Sequence, residues 1–314
     1  MNSPRPIADT FGQGNDVGND RLALSYRQCR QLAQQTARNF YYSFMVLPRP
    51  KRSAMCALYA FMRGTDDIGD SVAPIEQRRQ ALRDWRCQLE EALAGRMPPD
   101  LWWMALVDTI RQYAIPVERL HEVIDGVTSD LDTCRYATFQ DLYGYCYRVA
   151  SAVGLACLPI WGASDPRAAQ PAVACGIAFQ LTNVLRDLVE DYGRNRIYLP
   201  QEDLDRFGVT EGMIAARRPT PQLENLVAFE IDRARGYYRT SLELATYLPP
   251  TGRAILSVMY GVYGGLLEAI AKRPMGILER RLSLPTSQKI GCVLQALPIR
   301  YLGRSMPIPA VARP

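Results

Sequence analysis

Residues 176–191 read Gly176-Ile177-Ala178-Phe179-Gln180-Leu181-Thr182-Asn183-Val184-Leu185-Arg186-Asp187-Leu188-Val189-Glu190-Asp191. Four oxygen-bearing side chains, Gln180, Asn183, Asp187 and Asp191, recur at i, i+3, i+7 and i+11, which is one stripe of an α-helix. Ile177, Ala178, Phe179, Leu181, Val184, Leu185, Leu188 and Val189 cover most of the remaining circumference. A helix apolar on nearly all sides belongs inside a large bundle or a membrane. A solvent-facing stripe would mix Lys, Arg and Glu, whereas this one offers amide and carboxylate oxygens. Such groups are costly inside an apolar helix unless they are paired or bound to a metal. The stripe therefore predicts a hard cation, magnesium with manganese as a substitute. Arg186, Arg194 and Arg196 lie close by, and arginine beside a divalent cation suits phosphate.

A second acidic group occurs earlier, in Tyr59-Ala60-Phe61-Met62-Arg63-Gly64-Thr65-Asp66-Asp67-Ile68-Gly69-Asp70. Helical spacing puts Asp66 and Asp70 on one face, one turn apart, with Arg63 on the same face. Taken alone, this reads as a solvated acidic helix end. Taken with the later stripe, it predicts two acidic helices facing each other across a bundle, with aspartates at the mouth of a cavity. Candidates for its apolar wall are Phe40, Tyr41, Tyr42, Phe44, Tyr59, Phe61, Tyr145, Phe179, Tyr260 and Tyr263. Magnesium and arginine withdraw a diphosphate, and a dry aromatic pocket shelters the carbocation left behind.

The rest of the chain supports a helical frame. Its 314 residues are 48% hydrophobic and 22% charged, which excludes disorder and fibrous repeats. Alternating strand patterns are missing, and Pro and Gly fall mostly between helix-length pieces of roughly 15 to 25 residues. This predicts one all-α bundle with a central apolar cavity over residues 21–302. Residues 1–20 are expected to be a disordered tail and 303–314 a C-terminal tail. Val149–Ala163 is too short to span a membrane and carries Pro159. Ala254–Ala271 is of spanning length but holds Glu268 and three glycines, so it is assigned to the bundle centre. Net charge is +5, and the cations are dispersed without a nucleic-acid-binding motif, which argues against nucleic acid as a partner. The arginine excess reads first as a coding bias and second as suited to bidentate phosphate contacts. Eight cysteines without a CxxC motif, most in apolar helical text, and no signal-peptide pattern predict a reducing compartment. The single histidine, His121, reads as a helix-surface residue.

These motifs together resemble the squalene/phytoene synthase family. The resemblance rests on Arg63 with Asp66 and Asp70, on Tyr145-Cys146-Tyr147-Arg148-Val149-Ala150 with Gly154, on Gln180 to Asp191, and on Arg196-Ile197-Tyr198-Leu199-Pro200. It covers about Tyr26 to Leu297 and implies the isoprenoid-synthase fold. It also implies head-to-head joining of two identical prenyl diphosphates through a cyclopropylcarbinyl diphosphate. By the same resemblance Asp66, Asp70, Asp187 and Asp191, with Asn183, hold magnesium, and Arg63, Arg186 and Arg196 contact diphosphate. Tyr145 and Tyr263 lie near the reacting carbons or the leaving group. A late diphosphate arginine matches Arg281, with Arg280 as the alternative.

Two departures stand out, the first bearing on diphosphate contacts before the first motif and the second on the product. Ala37 and Asn39 stand where the family often has serines. Arg148 stands where squalene and phytoene synthases often have tyrosine, and it is expected to contact diphosphate. The Arg148 segment resembles bacterial presqualene diphosphate synthases, so two farnesyl diphosphates giving a C30 product are expected. Phytoene from two geranylgeranyl diphosphates is the alternative. NADPH is required only if the reaction continues to squalene. A head-to-tail prenyltransferase or cyclase fits the first acidic motif but not the second. A non-catalytic assembly protein should have lost acidic ligands that are all present here. Because the products are water-insoluble, a cytoplasmic protein docked on the inner membrane face without crossing it is expected. The sequence leaves the oligomeric state open.

Overall fold

The computed structural model describes residues 13–37 and 40–313. Along the chain run α1 (Gln13–Thr36), α2 (Phe40–Phe44), α3 (Arg49–Gly69), α4 (Ile75–Leu93), α5 (Trp102–Tyr113), α6 (Val117–Ser129) and α7 (Phe139–Cys146). There follow α8 (Ala152–Trp161), α9 (Ala169–Gly193), α10 (Gln201–Phe207), α11 (Glu211–Ala215), α12 (Pro221–Ser241), α13 (Pro250–Lys272) and α14 (Thr286–Leu302). A π-helical turn, Tyr147–Ser151, joins α7 to α8. Among the described residues there is no strand, only an isolated bridge between Arg135 and Ile197. The all-α, single-domain expectation holds, and one apolar core runs from Cys29 in α1 to Ala312.

Local chemistry sets the helix ends. Thr138 and Asp141 form a reciprocal capping box at the start of α7. Thr220 accepts a hydrogen bond from the Leu223 amide, and Pro221 occupies the first turn of α12, where a missing N–H costs nothing. α9 lies along α12, flanked by the π turn and α8, and α13 lies along α14. Gly176 lets α9 meet the π turn: a Cβ there would lie 2.5 Å from Ser151 Cα.

Three boundaries differ from expectation. Helix α1 starts at Gln13, inside the stretch expected to be tail, because a helix packed on α3 and α5 propagates into its preceding residues; residues 1–12 lie outside the described residues. Pro159 is within α8 rather than ending it. It falls in the last turn, so little helix is lost before Gly162 closes it in the left-handed region at φ 97°. The C-terminal residues fold back: Val311 and Ala312 are buried, and Val311 packs against Gly264. Pro250–Lys272 and Pro166–Gly193 are long and apolar enough to cross a membrane, but each has 67% of its most apolar window buried in the bundle. Within the first, Glu268 accepts hydrogen bonds from Arg235 at 2.9 and 3.2 Å. All eight cysteines are free, and His121 is half-buried on α6, 2.8 Å from Glu90.

Candidate active site

Both acidic groups lie at helix C-termini, the end of α3 and the last two turns of α9. A helix dipole disfavours anions there, so something else must compensate them. Among the described residues that compensation is arginine. Asp187 accepts two hydrogen bonds from Arg186, one of them at 2.7 Å, and two from Arg281 at 2.7 and 3.1 Å. Asp70 lies 3.3 Å from both Arg194 and Arg196, and Arg196 also reaches Asp130 at 3.2 Å. Arg63 pairs with Asp67 at 2.5 Å. The chain gets Arg194 and Arg196 back to the helix end because Asn195 takes φ 61°, a conformation asparagine tolerates. The Arg196 amide then donates to the Asp191 carbonyl at 2.9 Å.

These groups line a polar chamber of about 570 Å³ that holds Asp66, Asp67, Asp70, Asp130, Gln180, Asn183, Asp187, Glu190 and Asp191 with Arg63, Arg186, Arg194, Arg196 and Arg281. All four predicted aspartates and Asn183 converge there. So does Arg281, whereas Arg280 is exposed and does not line the chamber. Asp66 is open to the chamber, with the rest of the site packed densely behind its carboxyl. Burial, then the Asp70 charge, pushes it up to about 7. Burial, then Asp187 and Glu190, likewise pushes Asp191 up to about 7. Burial acts in the same direction on Asp187, but hydrogen bonds from Arg186 and Arg281 outweigh it and hold that carboxyl below the usual range. The chamber thus has carboxylates of both kinds, one neutralised by arginine and two inadequately compensated.

On the far wall, the Tyr145 hydroxyl donates to Tyr198 at 3.3 Å, and Tyr198 donates to Asp130 at 2.9 Å. Burial raises both tyrosines above their ordinary range. Asp130 and Asp67 were missed from sequence: Asp130 is the C-cap of α6 in a polar helix end, and Asp67 pointed to the wrong face of the acidic motif. Tyr198 was visible only as part of the Arg196–Pro200 segment.

Behind the chamber an apolar cavity of about 240 Å³ continues between α3, α8, α9 and α13, and the two share Arg63, Asp66, Val149, Gln180 and Asn183. Phe40, Phe44, Tyr59, Phe179 and Tyr263 supply its aromatic wall. Tyr263 is stacked on Phe179 at 4.7 Å, on the cavity side rather than the chamber side. Phe61 belongs instead to a cluster with Trp85 and Trp103, and Tyr260 is hydrogen-bonded to Ser241. Arg148 lines neither space. Val149 faces the cavity, whereas the Cβ of Arg148 packs beside Gly126 of α6. The Arg148 Nε is buried without a hydrogen-bond partner, and its charge acts on Tyr136, which lies against Tyr145 and Tyr198. The expected diphosphate contact through Arg148 thus has no support from the chamber lining, and with it goes this residue's support for a presqualene product. Ala37 is buried, and Asn39 lies outside the described residues.

The donor set fits a divalent cation bound together with diphosphate. Asn183 Oδ1 and Arg63 Nε are buried without hydrogen-bond partners, an acceptor and a donor on the chamber wall. Among the described residues no three carboxylate, imidazole or thiol groups converge tightly enough to enclose a cation alone. Magnesium suits such a site, because it is commonly held by one or two carboxylates plus substrate phosphate oxygens and water.

Comparison with known proteins gives a consistent set. A family model described as squalene/phytoene synthase matches residues 33–288. A 15-cis-phytoene synthase of Synechococcus elongatus is 34% identical, over 90% of this chain and 94% of its own. A phytoene synthase of Mycobacterium tuberculosis is 35% identical, over 88% of this chain and 91% of its own. Among solved structures, a dehydrosqualene synthase in complex with a ligand superposes with a TM-score of 0.82 at 28% identity, covering 88% of this chain and 96% of that one. A squalene synthase of Alicyclobacillus acidocaldarius gives 0.75 at 32% identity, covering 81% and 95%.

Proposed function

The chain belongs to the squalene/phytoene synthase family, and on that premise we propose that it joins two geranylgeranyl diphosphates head to head to give the C40 hydrocarbon phytoene. Head-to-head condensation of prenyl diphosphates, prenyltransferase activity and the use of a divalent metal for diphosphate binding are properties of the family. The observation that carries the C40 choice is that the sequence relatives, at 34 to 35% identity over nearly their whole length, are phytoene synthases. The C30 reading stays second, supported by the dehydrosqualene and squalene synthases among the structural neighbours.

In this reading Asp66, Asp70, Asp187, Asp191 and Asn183 would hold magnesium at the diphosphate site. When bound, the metal supplies Lewis-acid polarisation of the departing diphosphate. Arg63, Arg186, Arg196 and Arg281 exchange carboxylate partners for diphosphate oxygens and neutralise the charge that leaves with each group. The apolar cavity behind them excludes water from the cations, with Phe40, Phe179 and Tyr263 presenting ring faces. Tyr145, tied through Tyr198 to Asp130, orients a hydroxyl toward the chamber. The first condensation releases one diphosphate and a proton. The second ionisation releases the other diphosphate, and loss of a second proton ends the reaction without a reductant, so NADPH is not consumed.

Chain length is set where the cavity ends. Along α3 the lining runs from Asp66 back to Met55, and along α9 from Asn183 back to Ala172. Each path covers eleven residues, about 16 Å of helix. Met55, Cys157, Trp161, Ala172 and Leu244 therefore form the deep end. The enzyme is proposed to work in the cytoplasm, peripherally bound to the inner membrane face, where its insoluble product is delivered.

Supplying each substrate separately, with magnesium and without reductant, tests the product. Phytoene from geranylgeranyl diphosphate, with farnesyl diphosphate left unconsumed, is expected. A C30 product from farnesyl diphosphate, with geranylgeranyl diphosphate untouched, overturns the C40 choice.

A further inference from the structure

Helix α14 is apolar on two faces. Ala296 and Ile299 are buried toward the bundle. On the opposite side Ile290, Leu294, Leu297 and Tyr301 recur at i, i+4, i+7 and i+11, and Ile290, Leu294 and Tyr301 are 45%, 59% and 66% exposed. Leu302 and Ile308 extend the surface at 68% and 58% exposed. A stripe of this regularity on an outer face is unusual for a surface helix, whose outward positions are normally polar.

Charge distribution identifies the occupant. After Glu279 the sequence contains no Asp or Glu, while Arg280, Arg281, Lys289, Arg300, Arg304 and Arg313 follow. Arg281 is engaged in the chamber, and Lys289 lies 6.0 Å over the Tyr42 ring, but Arg304 and Arg313 are exposed. Arg300 stacks on Tyr301 at 4.5 Å, at the end of the stripe. An apolar stripe flanked by cations and free of carboxylates is complementary to an anionic lipid surface.

We propose that the outer face of α14 docks the protein on anionic phospholipid, with Ile290, Leu294, Leu297 and Tyr301 in the acyl boundary and Arg300 and Arg304 at the headgroups. This deepens the peripheral-association reading given above and rests on it. Its position also serves the product. Helix α14 packs on α2, and Phe40 and Phe44 of α2 line the apolar cavity. α2 thus lies between α14 and the cavity, with exposed Met45 directly after it.

Flotation of the full-length protein with vesicles tests this. Vesicles of phosphatidylcholine with about 30 mol% phosphatidylglycerol should carry the wild type, and phosphatidylcholine alone or high salt should weaken binding by about tenfold or more. Leu294→Ser with Tyr301→Ser should lose about tenfold or more, and Arg304→Glu should lose binding to the anionic vesicles. Melting temperature and turnover of detergent-dispersed substrate should stay at wild-type values in all of them. Wild-type flotation that the double variant matches overturns the α14 assignment alone. No wild-type flotation on either vesicle overturns peripheral association itself. A wild-type dimer that the double variant converts to monomer, with vesicle binding unchanged, assigns the face to a second copy and overturns the lipid proposal.

Discussion

Asp187 and Asp191 stand one turn apart in the same chamber, yet replacing each by asparagine should move stability in opposite directions. The Asp191 carboxyl is raised from 3.8 to about 7 in the folded protein, mainly by burial and then by Asp187 and Glu190. The folded state therefore holds this proton more tightly than the unfolded chain does. The stabilisation this gives is complete below the unfolded value, 3.8, and is lost as pH rises through about 7. At 1.36 kcal/mol per pH unit the penalty on the charged form has a ceiling of about 4 kcal/mol. Water in the chamber screens it to about 1–2 kcal/mol. Asp191→Asn should thus raise the stability of the metal-free protein at about pH 8 by about 1–2 kcal/mol, or about 2–4 °C. At about pH 5.5 the gain should fall to about half. Asp187 is the reverse case: Arg186 and Arg281 hold its carboxyl low, so its stabilisation is present at neutral pH and lost on acidification. Asp187→Asn leaves two guanidinium groups short of their acceptor and should cost about 1–3 kcal/mol. Denaturant and thermal melts with EDTA at both pH values read these changes. Both variants should lose about 10²-fold or more in turnover. A fall in stability for Asp191→Asn at about pH 8, or a rise for Asp187→Asn, would refute the electrostatic assignment; retained turnover in both would make the residues structural.

Chelation with EDTA should abolish diphosphate release and added magnesium should restore it, read by a diphosphate-coupled assay; full turnover in metal-free buffer contradicts the metal assignment. Arg281→Ala should lower turnover by about 10²-fold, whereas Arg280→Ala, which removes an exposed side chain outside the chamber, should leave it within about twofold. Cys157→Phe fills the deep end of the cavity and should depress turnover of geranylgeranyl diphosphate more than that of farnesyl diphosphate, at about 1–3 kcal/mol in stability from overpacking. Equal loss on both substrates would move the chain-length wall elsewhere.

The helical frame and both acidic motifs were legible because each breaks a local rule in a patterned way. Gln180, Asn183, Asp187 and Asp191 form a polar stripe on an otherwise apolar helix, and the aspartates of both motifs lie where the helix dipole disfavours them. Asp130 and Tyr198 carried no such signal, since a C-cap aspartate and a tyrosine between apolar neighbours each have an ordinary structural explanation. Arg148 shows the limit of spacing: sequence does not say which neighbour of Val149 lines the cavity, and in the π turn it is Val149, not Arg148, that does so. The boundary at Pro159 failed because a proline in a helix's last turn forfeits little. The outer stripe of α14 was readable in principle at i, i+4, i+7 and i+11, but only packing reveals which of two apolar faces is covered.

The central claim is head-to-head joining at the two-motif chamber, and the label pattern of the product tests it most directly. Geranylgeranyl diphosphate carrying carbon-13 only at the diphosphate-bearing carbon, incubated with the protein and magnesium, should give a C40 hydrocarbon whose two labelled carbons are bonded to each other. One-bond carbon–carbon coupling in the NMR spectrum, with release of two diphosphates per product, is the expected result. A product whose labelled carbons are separated, or a cyclised C20 hydrocarbon with a single label, would contradict it.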